Sequence, residues 1–382
     1  MVSRKAWQAL GVAGGVAGAA GAAVGVGVAA HRRRELARDR RRLAGELDSQ
    51  GEQPGALPAP TSSSVMTDDG VRLACEEIPP HAGPPVLTVV LVHGFALDRR
   101  TWHFQRESLP VLTDPAVRTV LYDQRSHGRS ERAARESCTI EQLGHDLAAV
   151  LRALAPQGPL VLVGHSMGGM TLMALAEQQP ELFESRVLGV GLLSTSAGEM
   201  GSAGLPGSLL SRFNPLTRGI GGLARLQPKL VESGRRVLSD VIWGFTRRFA
   251  FGDRKVDPAL VDLVDTMISA NAVDALTDFV DTLGTHNRLA ALPALAGCEV
   301  LVVAGTKDEV IPYAHGERIA SELPTAELLT LEGVGHLPML ERSEAVEEAL
   351  EALIRRSAAR IAVPEAAEPA QLPTVPRRRK RA

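Results

Sequence analysis

The sequence predicts an α/β fold with a mostly parallel central sheet, helices on both faces and a helical lid inserted late in the sheet. Three observations carry that prediction. Apolar runs rich in Val and Leu, such as "VLTVVLVHG" (86–94), "LVLVGH" (160–165) and "CEVLVVAG" (298–305), are continuous rather than alternating, as strands buried on both faces must be. Helical periodicities separate them. The alternation then stops over 198–296, where helical patterns succeed one another without strong strands, and it resumes at 298.

The elements come in order. "VMTDDGVRLACEEI" (65–78) places Asp69-Gly70 between two extended runs, a hairpin signal. After the 86–94 strand, a helix is expected around 100–112 and a strand over 118–124. Thr139 and Gln142 form a capping box ahead of Ile140, Leu143, Leu147, Val150 and Leu151, one face of a helix. The strand 160–165 leads into a helix expected over 167–183, then a strand over 187–194. Within the insertion, Asp257-Pro258 starts a helix whose Leu260, Val261, Val264, Met267 and Ile268 share a face. A second such face is Val273, Leu276, Phe279, Val280 and Leu283. Beyond the insertion come a strand, a helix over 315–323, a strand over 326–331 and a helix over 343–360.

The flanks differ in kind from this 65–360 region. Residues 6–30 carry no charge and consist largely of Gly, Ala and Val, with Arg4 and Lys5 before them and "HRRRELARDRRR" (31–42) after. About 25 residues at about 1.5 Å each can cross a bilayer core, and the arginines favour keeping the C-terminal side in the cytoplasm. Residues 1–42 therefore read as an N-terminal membrane anchor with a basic flank; a signal peptide and a low-complexity soluble extension are the competing readings. Residues 43–64 read as a Pro/Gly/Ser-rich linker, and 361–382 as a disordered tail ending in "RRRKRA".

Composition excludes several classes. A net charge of −2 argues against a general nucleic-acid binder, and 45% apolar with 23% charged residues describes an ordinary globular chain. Cys75, Cys138 and Cys298 are scattered, without a spacing that would hold a metal or build a disulfide framework. Neither a cofactor nor a metal is expected.

The chemistry concentrates in Gly164-His165-Ser166-Met167-Gly168. This G-x-S-x-G pattern comes after a strand and opens a helix, so the serine must sit on a corner tight enough to need small neighbours. A Gly-rich turn carrying an ordinary serine is the bland alternative. A serine nucleophile also needs a base and an orienting carboxylate. "LEGVGHLPMLE" (331–341) offers His336 just after the last predicted strand. "VVAGTKDEVIP" (302–312) offers Asp308 just after the strand before it. Both fall at the carboxyl edge of a parallel sheet, where Ser166 also lies.

In this combination the chain resembles the α/β-hydrolase superfamily, over roughly 65–355. The serine–acid–histidine order fits. So does "HGFALDRRTW" (93–102), which is similar to that family's oxyanion loop and implies that Phe95 and Met167 donate backbone N–H groups to an oxyanion. "YDQRSHGRS" (122–130) is similar to its D-x-R-G-H-G-x-S segment, with Ser126 in place of a glycine. The resemblance implies that His93 and His127 brace loops. His165 is expected to pack away from Ser166, and Glu199 and Glu309 are alternative positions for the acid. A serine in place of an aspartate implies attack on acyl carbons, so the expected activity is cleavage of carboxylic esters, lipid-like ones included, through an acyl-enzyme. A non-hydrolytic ligand-binding member of the fold and a peracid-forming haloperoxidase type are the alternatives. Trp243, Phe245, Phe249 and Phe251 suggest either an apolar wall of an acyl pocket or packing of the lid onto the sheet, in a chain with only 3% aromatic residues.

Overall fold

The structure is a computed structural model describing residues 54–55, 61–198, 249–253 and 255–361. The expected anchor, most of the linker, the first half of the insertion and the basic tail lie outside the described residues. No described helix is long and apolar enough to cross a membrane.

Eight strands form one sheet: β1 (Thr61–Met66), β2 (Arg72–Ile78), β3 (Leu87–Val92), β4 (Val117–Tyr122), β5 (Leu160–His165), β6 (Val187–Leu193), β7 (Glu299–Gly305) and β8 (Glu327–Leu331). Their spatial order is β1-β2-β4-β3-β5-β6-β7-β8, and only the pairings made by β2 are antiparallel. β1 begins at Thr61, inside the segment read as linker. Its register partner there is Glu77 on β2, so hairpin pairing draws those residues into the sheet.

The helices are α1 (His103–Ser108), α2 (Ile140–Leu154), α3 (Met167–Gln178), α4 (Pro180–Ser185), α5 (Pro258–Ala270), α6 (Val273–Gly284), α7 (Ala314–Glu322), α8 (Pro338–Glu341) and α9 (Ser343–Ala359). Thr139 caps α2 by accepting from Gln142 N–H at 3.1 Å. Asp257 caps α5 by accepting from Ala259 N–H at 2.8 Å, with Pro258 at the first position. The helix expected over 167–183 is two, because Pro180 cannot continue the backbone ladder of α3 and restarts the chain as α4. The helix expected near 100–112 is α1 between two short 3-10 turns, the second holding Pro110.

Side chains along each strand alternate between two cores. Val90, Val92, Leu160 and Leu162 face α2 and α3, while Val89, Leu91, Val161 and Val163 face Trp102, α5 and α9. The described part of the insertion contributes to both: Val261, Val264 and Met267 of α5 to the second, Phe279 and Leu283 of α6 to the first. Phe251 belongs to the second core, which supports the packing reading for that residue; Trp243 and Phe245 lie outside the described residues.

A buried ion-pair fork braces the loop after β4. Arg125 and Asp146 on α2 are both fully buried and share two bonds of 2.6 Å, and Arg125 also reaches Asp69 at 2.8 and 2.9 Å. Removing the arginine leaves a buried carboxylate without its cation. Arg125→Ala is expected to lose about 3–5 kcal/mol of stability, read as a lower urea midpoint. An unchanged midpoint would show that the fork contributes nothing net.

Candidate active site

β5 ends in a corner that only certain residues permit. Ser166 has φ +52° and ψ −117°, in the region L-residues rarely occupy. A Cβ at Gly164 would lie 2.5–2.6 Å from the backbone of Gly168 and Gly169, and one at Gly168 would collide with the Val92 carbonyl. Both glycines are therefore steric requirements of the corner. The backbone is pinned as well: Ser166 N–H donates to Leu193 C=O at 2.9 Å, and Ser166 C=O accepts from Thr195 Oγ1 at 2.7 Å and from Gly169 N–H at 2.9 Å.

The structure brings the three residues singled out in the sequence together. His336 Nε2 lies 3.1 Å from Ser166 Oγ, and His336 Nδ1–H donates to Asp308 Oδ2 at 2.8 Å. The Asp308 carboxylate is itself fixed, its Oδ1 accepting from Val310 N–H at 2.9 Å and Ile311 N–H at 2.8 Å. Asp308 comes after β7 and His336 after β8, so the parallel order β5-β6-β7-β8 delivers all three to one edge. Asp308, not the neighbouring Glu309, bonds the imidazole; Glu199 lies outside the described residues. Such a constellation can pass the hydroxyl proton to imidazole and leave an oxygen able to attack an electrophilic carbon.

The loop after β3, expected from the sequence to face an oxyanion, abuts the corner. A Cβ at Gly94 would lie 3.1 Å from the Ser166 Cβ. Among the described residues, neither the Phe95 nor the Met167 backbone N–H donates a hydrogen bond. Met167 opens α3, whose N-terminal end favours negative charge. His93 braces this loop: its Nδ1–H donates to Gly94 C=O at 2.8 Å while Nε2 accepts from Gln124 N–H at 2.9 Å. Asn271, between α5 and α6, adds a hold from the insertion, donating to Ala96 C=O at 2.9 Å and accepting from Gly128 N–H at 3.2 Å.

Sequence reasoning missed several residues here. His165 does not merely pack away: its Nε2–H donates to the His336 backbone carbonyl at 2.8 Å, and the two rings lie 4.8 Å apart. Burial, and then the neighbouring His336, hold its pKa well below the ordinary value, so it stays neutral. Adjacency to Ser166 was the only signal, because nothing local foretells where the distant His336 loop returns. Phe279 of α6 is more than a core residue. It stands 6.5 Å from Phe95 and 5.2 Å from His127, with His127 5.9 Å from Phe95. Ser126 sits at φ +63°, which accounts for the usual glycine. Its hydroxyl accepts from Ala133 N–H at 3.0 Å and from Arg132 at 3.2 Å, and Arg132 in turn pairs with Asp278 of α6.

Burial pushes the His127 pKa down to about 3 and the His286 pKa down to about 4. An unfolded histidine titrates near 6.5, so below that pH the unfolded chain binds protons that the folded chain refuses. Stability is therefore expected to fall as pH drops from about 6.5 toward 4, by about 2 kcal/mol per residue at pH 5. Urea unfolding at pH 7, 6 and 5 checks this, and a flat profile would contradict it.

With this geometry in place, known proteins give it a context. A profile described as the alpha/beta hydrolase family matches residues 89–349. A non-heme chloroperoxidase of Streptomyces lividans is 27% identical over 76% of this chain and 99% of its own length. A dihydrolipoyllysine-residue acetyltransferase component of an acetoin cleaving system from Pseudomonas putida is 27% identical over 78% of this chain and 70% of its own. Among solved structures, a thermophilic esterase from Thermogutta terrifontis superposes with a TM-score of 0.60 at 25% identity, covering 78% of this chain and 99% of its own. The family match spans more than half of the chain and includes all three strand ends that carry the site: the chain belongs to the alpha/beta hydrolase family.

Proposed function

We propose that the chain is a serine hydrolase that cleaves carboxylic esters through an acyl-enzyme. The observation that carries this reading is the hydrogen-bonded line Ser166 Oγ–His336 Nε2 at 3.1 Å and His336 Nδ1–Asp308 Oδ2 at 2.8 Å, set on a strained corner. Ser166 Oγ attacks the acyl carbon as its proton passes to His336 Nε2. The Asp308 carboxylate keeps Nδ1 protonated and stabilises the imidazolium that forms. The carbonyl oxygen becomes an oxyanion facing the N–H groups of Phe95 and Met167. His336 then protonates the leaving alkoxide, and the same nitrogen deprotonates the water that releases the acid.

The relationship to a chloroperoxidase along nearly its whole length supports a second reading, in which hydrogen peroxide replaces water as acceptor. The acyl-enzyme then yields a peracid and free serine. Phe95 and Phe279 offer an apolar wall beside the oxyanion loop, which suits an acyl chain.

Wild-type protein is expected to hydrolyse short p-nitrophenyl esters and to be labelled by a fluorophosphonate. Ser166→Ala is expected to lose both, with turnover down by about 10⁴-fold or more. Adding hydrogen peroxide partitions the acyl group between acid and peracid and so separates the two readings. Ligand binding without turnover or labelling would instead identify a non-hydrolytic member of the fold. Attachment to a bilayer through residues 6–30 rests on the uncharged run and its arginine flank alone. If it holds, alkaline extraction of membranes leaves the full chain in the pellet; release into the supernatant would dismiss it.

A further inference from the structure

The loop carrying His336 is gripped by a carboxylate outside the three residues described above. Glu341, at the end of α8, is only 8% exposed. Its Oε2 accepts from Gly335 N–H at 2.9 Å and Gly252 N–H at 3.0 Å, and its Oε1 accepts from Asp253 N–H at 2.7 Å. Gly335 immediately precedes His336. Gly252 and Asp253 belong to the segment 249–253, which lies within the insertion. The same segment holds the loop a second time: Ala250 C=O accepts from His336 N–H at 2.9 Å and from Leu337 N–H at 3.2 Å.

The two stretches meet backbone to backbone. A Cβ at Gly252 would lie 2.7 Å from the Gly335 nitrogen, and one at Gly335 would lie 2.6 Å from the carbonyl carbon of Phe251. No side chain fits between them, so their N–H groups need an acceptor that reaches in from the side. Unsatisfied, the buried Gly335 N–H would carry its full desolvation penalty, and the half-buried Gly252 and Asp253 N–H groups a part of theirs. Two carboxylate oxygens can serve three donors; an amide, with one oxygen, cannot. Both oxygens of the Glu341 carboxylate thus bond backbone N–H groups.

We propose that Glu341 is a positioning residue for His336, a clamp that fastens segment 249–253 to the 333–337 loop and fixes the imidazole where it can take the Ser166 proton. The proposal rests on the serine hydrolase reading. It assigns the insertion a share in holding the base: a chain that loosens 249–253 loosens His336 with it.

The test compares wild type, Glu341→Gln and Ser357→Ala. The last removes a buried hydroxyl whose bond among the described residues is to Leu353 C=O, at 2.8 Å, within α9, and serves as a buried-site control. Glu341→Gln is expected to lower kcat by about 100-fold at unchanged KM, because a displaced base costs rate rather than binding. Phosphonylation of Ser166 by a fluorophosphonate is expected to slow in parallel, while Ser357→Ala keeps wild-type kcat. Wild-type kcat and labelling in Glu341→Gln overturn the clamp, as does an equal loss in Ser357→Ala. If Glu341→Gln does not fold, amide exchange of the wild type decides. One common opening free energy for 250–253 and 335–337 supports the clamp, and independent openings overturn it. Wild-type protein without turnover or labelling would fail the hydrolase reading instead, and the exchange measurement would still decide the clamp.

Discussion

The positive φ of Ser166 is the constraint on which the rest of the site depends. A non-glycine residue in that region costs on the order of 1–3 kcal/mol and persists only where its surroundings over-determine it. Here they do: two glycines admit the backbones of α3 and β3, Leu193 and Thr195 bind the peptide groups of the serine, and α3 begins at the next residue. The corner lifts Oγ above the carboxyl edge of the sheet. Parallel pairing of β5 to β8 then brings Asp308 and His336 to the same edge.

The described part of the insertion works as a brace as well as a cover. Asn271 ties it to the loop after β3, the Arg132–Asp278 pair ties α6 to the loop after β4, and segment 249–253 lies against the His336 loop. Loops on the two sides of Ser166 are thus held by residues far from them in sequence. A mutation in the insertion can therefore alter the chemistry without touching substrate.

Much of this was legible in the sequence, for a physical reason. Strands buried on both faces have to be continuous apolar runs, helix starts need caps such as Thr139 and Asp257, and the elbow needs its glycines. Ser166, Asp308 and His336 stand out because each comes within a few residues of a strand's end. The residues that stayed hidden depend on where loops return in space. His165 sits beside Ser166 in the chain, but its partner is a carbonyl across the site. Glu341 was visible only as a residue five positions after His336, since three backbone donors leave no pattern of their own. Phe279 reads as one member of an apolar helix face, and its approach to Phe95 arises from the packing of α6. The break at Pro180 is readable from the proline itself, although the apolar periodicity runs on past it.

In the proposed reaction the hydroxyl on the corner becomes covalently acylated. Acid quenching within the first turnovers of an activated acetate ester, then peptide mass analysis, tests it most directly. An acetyl adduct is expected on the peptide containing Ser166 and is abolished in Ser166→Ala. Product release with no adduct on any peptide, or with the adduct on another residue, would contradict it.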